Sequence, residues 1–316
     1  MSARTPAREE SPPPTPTPAP APAPARAKRR KRAAGALGRP ALPYRIVTGS
    51  LLAVAAVYFL VPVYWLVVSS TKSTGDLFGT FGLWFADPRP LDRLGDVLTH
   101  DDGIYVRWFL NSLFYAGVGA VAATLLSAAA GYALAKFPFP GREGIFNAVL
   151  AGVLLPGTAL ALPLYLLFSE LGLANTYWGV LVPSVVSPFG VYLSRIYAAA
   201  AVPDSLLEAA RIDGAGEARI FSVLVLRLMT PALVTVFLFQ FVHIWNNFFL
   251  PLVMLADSDL YPIQLGLTGW QGYADRQPEL YQYTVGGAFL SVLPLMVLMA
   301  VGQRYWRTGL TEGSLK

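Results

Sequence analysis

VPDSLLEAARIDGAGEARIFSVLVL, residues 202–226, is a long charged interval between two apolar runs and carries a regular pattern of charged and small residues. Pro203 suits a first helical turn, because the N–H that it lacks would be unpaired there. Asp204 follows, where a carboxylate interacts favourably with the helix dipole. Gly214 and Gly216 can adopt the positive φ that ends one helix and lets another begin. The stretch therefore predicts a helix, a glycine turn and a second helix.

Composition and hydropathy indicate a membrane protein. Apolar residues make up 54% of the chain and charged residues 14%, and the mean hydropathy is +0.49. Six runs lack Asp, Glu, Lys and Arg: 46–71, 108–135, 144–169, 171–194, 228–256 and 280–303. Each exceeds the roughly 20 helical residues that cross a hydrocarbon core. Because backbone groups in lipid must be paired internally, these runs predict an all-α membrane protein with six transmembrane helices.

The placement of Lys and Arg predicts the orientation of these helices. With the N-terminus inside, the inner segments hold 19 of the 24 basic residues. The outer segments hold the other five, which are Lys72, Arg89, Arg93, Arg107 and Arg276. Positive charge is retained on the cytoplasmic side, so both termini and the 202–226 stretch are predicted to be cytoplasmic.

Residues 1–43 differ in composition from the rest of the chain. A run of Pro and Ala, SPPPTPTPAPAPAPA, is followed by the basic cluster AKRRKR. This composition predicts a disordered cytoplasmic tail that is partly polyproline II, with its charges near anionic headgroups. The position of the cluster before a membrane helix argues against a nucleic-acid partner. Residues 44–316 are predicted to form one transmembrane domain, with a cytoplasmic loop at about 200–227.

Trp245, Asn246 and Asn247 fall at membrane depth in the fifth predicted helix. Amides in lipid need partners, so the two Asn side chains face protein or water. They would bond either a polar solute that passes along a translocation path or a neighbouring helix, and the sequence does not separate these alternatives. Prolines in the third to sixth runs predict bent helices, a feature of transporters.

Several kinds of chemistry are absent from the sequence. It contains no G-x-x-x-x-G-K-[ST] phosphate-binding loop and no G-x-S-x-G nucleophile elbow. His100 and His243 are the only histidines, and they are far apart, so no metal site is expected. No predicted span contains a carboxylate that would relay protons or sodium. The chain is therefore expected to be neither an enzyme nor a cofactor-binding protein, and a transporter of this kind needs energy from another polypeptide.

The 202–226 stretch resembles the cytoplasmic loop motif of permease subunits in binding-protein-dependent ABC importers. That motif reads EAA, three residues, Gly, nine residues and I-x-L-P. The matching residues are Glu208, Ala209, Ala210, Gly214, Leu224 and Leu226. Arg227 stands where the motif has proline, and the next proline is Pro231, so the shape of the loop's exit is open.

Further segments extend the resemblance over nearly all of 43–316, to carbohydrate importers and most closely to maltose-type (MalG-like) permeases. They are NSL at 111–113, GYALAKF at 131–137, LGLANTYWG at 171–179, WNNFFLPL at 245–252 and GLTEGSLK at the end. The resemblance implies a MetI-like permease fold in a bacterial-type plasma (inner) membrane. It also implies a heterodimer with a second permease, two ATPase subunits that bind ATP and Mg, and an extracytoplasmic sugar-binding protein.

The same resemblance implies roles for four groups of residues. The coupling helix that contacts the ATPase would contain Glu208, Ala209, Ala210, Asp213 and Gly214. The candidate translocation path would contain Trp245, Asn246 and Asn247, although in this family the sugar often contacts mainly the partner permease. An outer loop that probes the binding protein would contain Trp270, Gln271, Gly272 and Tyr273. A tail at the ATPase interface would contain Gly309, Leu310 and Thr311.

The expected function is that of a permease subunit in an ATP-driven importer of di- or oligosaccharides, coupled to its ATPase through residues 202–226. The first alternative is a permease of the same type for a solute other than a sugar. The second alternative is a carrier that works without an ATPase, or a structural membrane protein. A stable complex with an ATPase would eliminate the second.

Overall fold

The computed structural model describes the backbone of residues 42–312 and the side chains of residues 44–303. The predicted tail over residues 1–43 lies almost entirely outside these residues. The chain divides into two units between Leu60 and Val61, within the first helix, α1 (Leu42–Ser69). In the first unit, the described side chains of α1 are almost all exposed. The remaining elements belong to the second unit, and the described backbone contains no strand.

The chain after α1 continues through α2 (Thr74–Gly79) and α3 (Pro90–Thr99), and a 3₁₀ turn then leads into α4 (Ile104–Lys136). Ser73 caps α2: its hydroxyl accepts a bond from the Asp76 N–H and donates to the Asp76 carboxylate at 2.7 Å. The Ser73 hydroxyl lowers the pKa of Asp76. The predicted outer segment 71–107 is therefore largely folded.

The third predicted span is broken at Pro156. Helix α5 (Arg142–Val153) and α6 (Gly157–Glu170) meet at 104°. Pro156 has no N–H to continue the α5 ladder, and it caps α6 instead. The fourth predicted span comprises α7 (Tyr177–Ser184) and α8 (Pro188–Ala201). The predicted bend is confirmed most clearly at Pro156, whereas Pro163 and Pro183 lie inside helices.

The second half of the chain consists of α9 (Asp204–Ile212), α10 (Glu217–Leu228), α11 (Thr230–Trp245), α12 (Phe249–Met254), α13 (Ile263–Tyr273) and α14 (Glu279–Glu312). Helices α10 and α11 meet at 82°, just before Pro231. The outer loop expected around Trp270–Tyr273 is helical: these residues belong to α13, whose apolar side chains are buried against the rest of the protein.

Four described helical stretches are long and apolar enough to cross a membrane: Tyr44–Ser69, Pro90–Lys136, Tyr177–Ala201 and Glu279–Gln303. The bent pairs α5–α6 and α10–α11 raise this number to six if each pair is one span. The all-helical class expected from the sequence is confirmed for the described residues.

Helix α4 packs closely against α8 and α11 through small residues. A Cβ atom on Gly131 would lie 2.5 Å from the Cβ of Ser194, and one on Gly119 would lie 2.8 Å from Cδ1 of Ile244. In lipid, such close approach of backbones is the main way in which helices gain packing energy.

Two buried clusters result from this packing. The aromatic cluster includes Tyr105, Trp108, Tyr115, Phe241, Trp245 and Trp270. The loop cluster joins the inner side of the 202–226 stretch to the neighbouring helices. It consists of Tyr132, Ala198, Val202, Leu207, Ile220, Val225 and Met229.

Candidate functional site

Helix α9 begins just after Pro203, which has extended dihedral angles (φ −68°, ψ 135°) and therefore precedes the first helical turn. Asp204 lies in that turn, as predicted, and its carboxylate accepts a bond of 2.8 Å from Lys136 Nζ at the end of α4. The start of α9 is thus tied to the membrane helices of the same chain.

Gly214 ends α9 in a left-handed conformation, with φ +80°. Its N–H donates to the carbonyl of Arg211 at 3.0 Å, and the Ala215 N–H donates to the carbonyl of Ala210 at 3.0 Å. This pair of bonds is the Schellman arrangement, which satisfies helix carbonyls that would otherwise be unpaired. Gly216 has φ −70° and begins the next helix in an extended conformation. The positive φ predicted for both glycines is therefore present only at Gly214.

One face of α9 is attached to the protein and the other is exposed. Leu207 is buried in the loop cluster, and Ala210 packs beside it. Glu208, Ala209 and Asp213 are exposed. The exposed face therefore contains most of the residues predicted to couple to an ATPase.

Glu208 and Ile212 give this exposed face its chemistry. Within the part of the chain that the structure describes, the Glu208 carboxylate has no ion-pair partner. Ile212 is 85% exposed, whereas Leu207 on the same helix is buried. Ile212 was missed at the sequence level, and the signal for it is an apolar residue set on the side of α9 opposite to Leu207.

Arg211 is engaged within the chain. Its Nε donates to Glu217 Oε1 at 2.6 Å, and this carboxylate raises the pKa of Arg211. The hydroxyl of Tyr132 in the loop cluster donates to the other oxygen of Glu217 at 3.5 Å. The ion pair therefore links α9 to α10 across the glycine turn, and Arg211 pairs with Glu217 and not with Glu208.

The exit of the loop is helical where the family motif has proline. Residues Ile220–Val225 form a π-helical segment, and Arg227 continues α10. The bend comes at Met229, and the hydroxyl of Thr230 donates to the carbonyl of Arg227 at 2.8 Å. The shape left open by the missing proline is thus a π-helix that ends at Val225, followed by a bend at Met229, two residues after Arg227.

The three candidate path residues have different environments. Trp245 is buried in the aromatic cluster, stacked on Phe241 with ring centroids 5.7 Å apart. Asn246 is exposed, and its amide donates to the carbonyl of Val242 at 2.9 Å. The side-chain oxygen of Asn247 accepts a bond from the Leu250 N–H at 3.3 Å. The burial of Trp245 assigns it to the core in this structure.

The four residues predicted to contact a binding protein also differ in their exposure. Trp270 is buried, and its ring centroid lies 4.9 Å from that of Trp108. Gln271, Gly272 and Tyr273 are exposed at the end of α13. Gly309, Leu310 and Thr311 belong to the backbone of α14, and their side chains lie outside the described residues.

A group of polar side chains on α4 holds the segment that precedes α13. This polar bracket consists of Trp108, Asn111, Ser112 and Tyr115. The Asn111 amide donates to the carbonyls of Asp259 at 2.8 Å and Tyr261 at 3.0 Å.

The other bracket residues bond neighbouring backbone groups of that segment. Trp108 Nε1 donates to the Ser258 carbonyl at 2.9 Å, and the Tyr115 hydroxyl donates to the Leu260 carbonyl at 3.1 Å. The Ser112 hydroxyl accepts from the Ile263 N–H at 2.7 Å. The NSL segment at 111–113 was the sequence signal for this bracket, but its role was not inferred from it.

No group of three or more His, Cys, Asp and Glu side chains within the described range is arranged to hold a metal ion. The sequence did not predict such a site.

Comparisons with known proteins identify the family. A family model described as "Binding-protein-dependent transport system inner membrane component" matches residues 123–309. The arabinooligosaccharides transport system permease protein AraQ of Halalkalibacterium halodurans is 34% identical over 281 residues, which cover 88% of this chain and 98% of AraQ. The osmoprotective compounds uptake permease protein GgtD of Synechocystis is 34% identical over 285 residues, covering 87% and 92% of the two chains.

A solved structure supports the same family. A bacterial ABC transporter involved in the import of the acidic polysaccharide alginate contains a chain that is 26% identical, with a TM-score of 0.71. The match covers 83% of this chain and 96% of that one, and it confirms the MetI-like, all-helical permease fold. The family model and these relatives together span most of the sequence, including residues 202–226. The chain therefore belongs to the family of inner membrane components of binding-protein-dependent transport systems.

Proposed function

We propose that this chain is the permease subunit of an ATP-driven importer of di- or oligosaccharides. Two similarities support a sugar substrate: AraQ is named for arabinooligosaccharides, and the solved transporter imports alginate. In the proposed topology, each bent pair forms one span, giving six spans with both termini in the cytoplasm of a bacterial-type plasma membrane. The 19 basic residues of the inner segments support this orientation.

The coupling role is proposed mainly because one face of α9 is exposed. Its glycine turn and its Leu207 contact fix the helix on the loop cluster, while Glu208, Ala209 and Ile212 remain exposed. A helix fixed on one side and uncovered on the other suits a partner protein. An ATPase subunit that binds ATP and Mg²⁺ would receive this face in a cleft, while the permease chain itself binds no cofactor.

The side chains of α9 suit three kinds of contact with that ATPase. Glu208 would pair with a basic residue of the cleft, and Ala209 and Gly214 would allow close approach. Ile212 would enter an apolar pocket, because large apolar side chains at the centre of an interface contribute much of its energy. Asp213 would lie at the edge of this contact, and Gly309, Leu310 and Thr311 would extend toward the interface between the two ATPase subunits.

Movement of the ATPases would reach the outer face through packed helices. Closure of the ATPase pair would push the two coupling helices of a permease heterodimer together. The loop cluster joins α9 to Tyr132 on α4 and to Ala198 on α8. These helices also form the tightly packed centre of the bundle, so they would move as one body. Access to the path, with Asn246 and Asn247 beside it, would then alternate between the two sides.

The outer partner would be an extracytoplasmic sugar-binding protein. Gln271, Gly272 and Tyr273 are exposed at the end of α13, which suits contact with that protein. Trp270 would support this contact from inside the aromatic cluster. The polar bracket would keep the segment before α13 in position while the binding protein docks and leaves.

Reconstitution of the complete transporter tests this proposal. The chain would be purified from its native membrane with its associated subunits and placed in lipid vesicles with the binding protein of the same gene cluster. We expect ATP-dependent accumulation of a di- or oligosaccharide inside the vesicles. Purification without any ATPase, or accumulation that proceeds equally well without ATP, would contradict the proposal.

A second candidate substrate class follows from GgtD, whose name assigns it to osmoprotective compounds. The same vesicles would separate the two by competition, with arabinooligosaccharides and osmoprotective solutes added in turn to the binding protein. A binding protein that binds no oligosaccharide but binds an osmoprotective solute would favour this second candidate. That result would leave the proposed coupling role of α9 unchanged.

A further inference from the structure

An apolar patch of aromatic side chains lies at the end of α2 and just after it. The aromatic segment, residues 78–85, contains Phe78, Phe81, Trp84 and Phe85. Phe81 is 72% exposed and Trp84 is 68% exposed. Single exposed apolar side chains are ordinary, but several large ones in one short segment indicate a surface that another phase or molecule covers.

The aromatic segment is folded back along the end of α1. The hydroxyl of Tyr64 donates to the carbonyl of Leu83 at 3.1 Å. A Cβ atom on Gly82 would lie 3.5 Å from Nε1 of Trp65, so the backbone passes directly against that indole ring. The segment therefore lies beside Tyr64 and Trp65 and does not extend past the end of the helix.

Lys72 holds the fold-back in place. Its side chain is almost wholly enclosed, with 1% of the residue exposed. Its Nζ donates to Thr80 Oγ1 at 3.0 Å and to the carbonyl of Phe81 at 2.8 Å. A buried ammonium group is costly unless it is hydrogen-bonded, so these bonds stabilise the turn that brings Thr80 and Phe81 back to Lys72. The aromatic side chains are consequently presented on a fixed backbone.

The position along α1 sets the depth of the segment in a membrane. The apolar part of α1, Tyr44–Ser69, has 26 residues, which at 1.5 Å per residue is roughly 39 Å long. The hydrocarbon core is about 30 Å thick, so the last turns of the helix reach into the headgroup layer. Tyr64 lies roughly 7 Å before the end of α1, close to the boundary between acyl chains and headgroups.

We infer that the aromatic segment is an interfacial anchor, with Phe81 and Trp84 inserted among the lipids at the headgroup–acyl boundary. Aromatic side chains are enriched at this depth in membrane proteins. An exposed ion pair follows the aromatic segment along the chain: Asp87 and Arg89 are joined by an N–O distance of 2.9 Å. This pair stays on the aqueous side. The anchor fixes the chain between α1 and α3 against the membrane surface. This inference rests on α1 crossing the membrane and not on the identity of the solute.

The sequence allows a direct test, because the chain contains no cysteine. Trp84→Cys and Phe81→Cys would be prepared separately, labelled with a nitroxide and studied with the associated subunits in phosphatidylethanolamine–phosphatidylglycerol nanodiscs. Collisions with oxygen, which concentrates in lipid, would be compared with collisions with a water-soluble nickel chelate. Phe59→Cys in the apolar part of α1 and Asp101→Cys at an exposed turn serve as the lipid and water references.

We expect the oxygen-to-nickel ratio at positions 81 and 84 to be several-fold above that at position 101 and below that at position 59, which lies deeper along α1. A ratio equal to that at position 101 would place the segment in water and overturn the inference. Protection of both labels from both reagents would show that a protein subunit covers the segment, which would also overturn it. Uptake by the transporter is a separate readout, so failure of the anchor and failure of the proposed import function are distinguishable.

Discussion

Helix α9 with its glycine turn and the segment before α13 are both joined to α4, but in different ways. Helix α9 is attached through Leu207 and the Lys136–Asp204 ion pair, and one face stays exposed. The 258–263 segment is held by hydrogen bonds from the polar bracket to successive backbone groups. The first region keeps one face exposed, and in the proposed function this face receives another protein, whereas the second has its polar groups satisfied within the chain.

This difference predicts different consequences of mutation. A change on the exposed face of α9 removes few contacts of the chain itself, so it should affect coupling more than folding. A change in the polar bracket leaves backbone groups of the same chain unpaired, so it should affect folding as well. Each experiment below measures both sugar uptake and the amount of folded protein in the membrane.

Gly214→Val should have the largest effect on uptake. A β-branched residue at φ +80° is strained, so the turn at the end of α9 would be distorted. We expect uptake to be abolished while membrane insertion remains normal. Gly216→Val is the matched control, because Gly216 has φ −70° and a Cβ atom there would meet nothing within 4 Å. Equal uptake in the two variants would refute the role assigned to the Gly214 turn.

Glu208→Lys should abolish uptake through charge alone. The carboxylate is exposed, so its reversal should leave the fold intact while it repels a basic residue on the ATPase. Breaking a paired charge buried at an interface typically costs about 2–5 kcal/mol or more. Glu170→Lys, at the exposed end of α6, is the control for an added positive charge. Full uptake by Glu208→Lys would remove Glu208 from the coupling face.

Asn111→Leu should reduce both stability and uptake. Its loss leaves the carbonyls of Asp259 and Tyr261 without this donor, and a hydrogen bond of this kind typically contributes about 0.5–1.5 kcal/mol. The expected readouts are a lower thermal unfolding midpoint in detergent and weaker stimulation of ATP hydrolysis by the binding protein. Asn111→Asp keeps an oxygen that can accept from the Tyr177 hydroxyl but replaces the amide donor with an acceptor beside the two carbonyls, so it should lower the midpoint at least as much. An unchanged unfolding midpoint in both variants would show that the bracket contributes little.

Glu217→Gln should have the smallest effect. Glu217 pairs with Arg211 near the surface, and exposed ion pairs contribute little to stability because water and salt screen them. We expect nearly normal uptake and unfolding. A loss of uptake as large as that of Glu208→Lys would indicate that the ion pair across the turn, and not the exposed face, transmits the signal.

Local chemistry in the sequence was enough to predict the helical class, the end of α9 at Gly214 and the bend at Pro156. These features depend on nearby residues: a glycine free to take positive φ, and a proline without an N–H. Tertiary packing decided the remainder. The family resemblance placed Trp270 in an outer loop, and the position of Trp245 at membrane depth placed it beside a path, yet both are in the aromatic cluster. The polar bracket joins residues roughly 150 positions apart, and no local pattern reveals such a pairing.

The central claim is that the exposed face of α9 is the surface that an ATPase grips from the cytoplasm. Cross-linking from Ile212→Cys in inside-out membrane vesicles tests it most directly, since Ile212 is the most exposed apolar side chain on that helix. We predict a cross-linked product of this chain with an ATPase subunit, whose yield changes when ATP is added. A cysteine at position 212 that reacts only with reagents on the extracytoplasmic side, or that never cross-links to an ATPase in an actively transporting complex, would contradict the account.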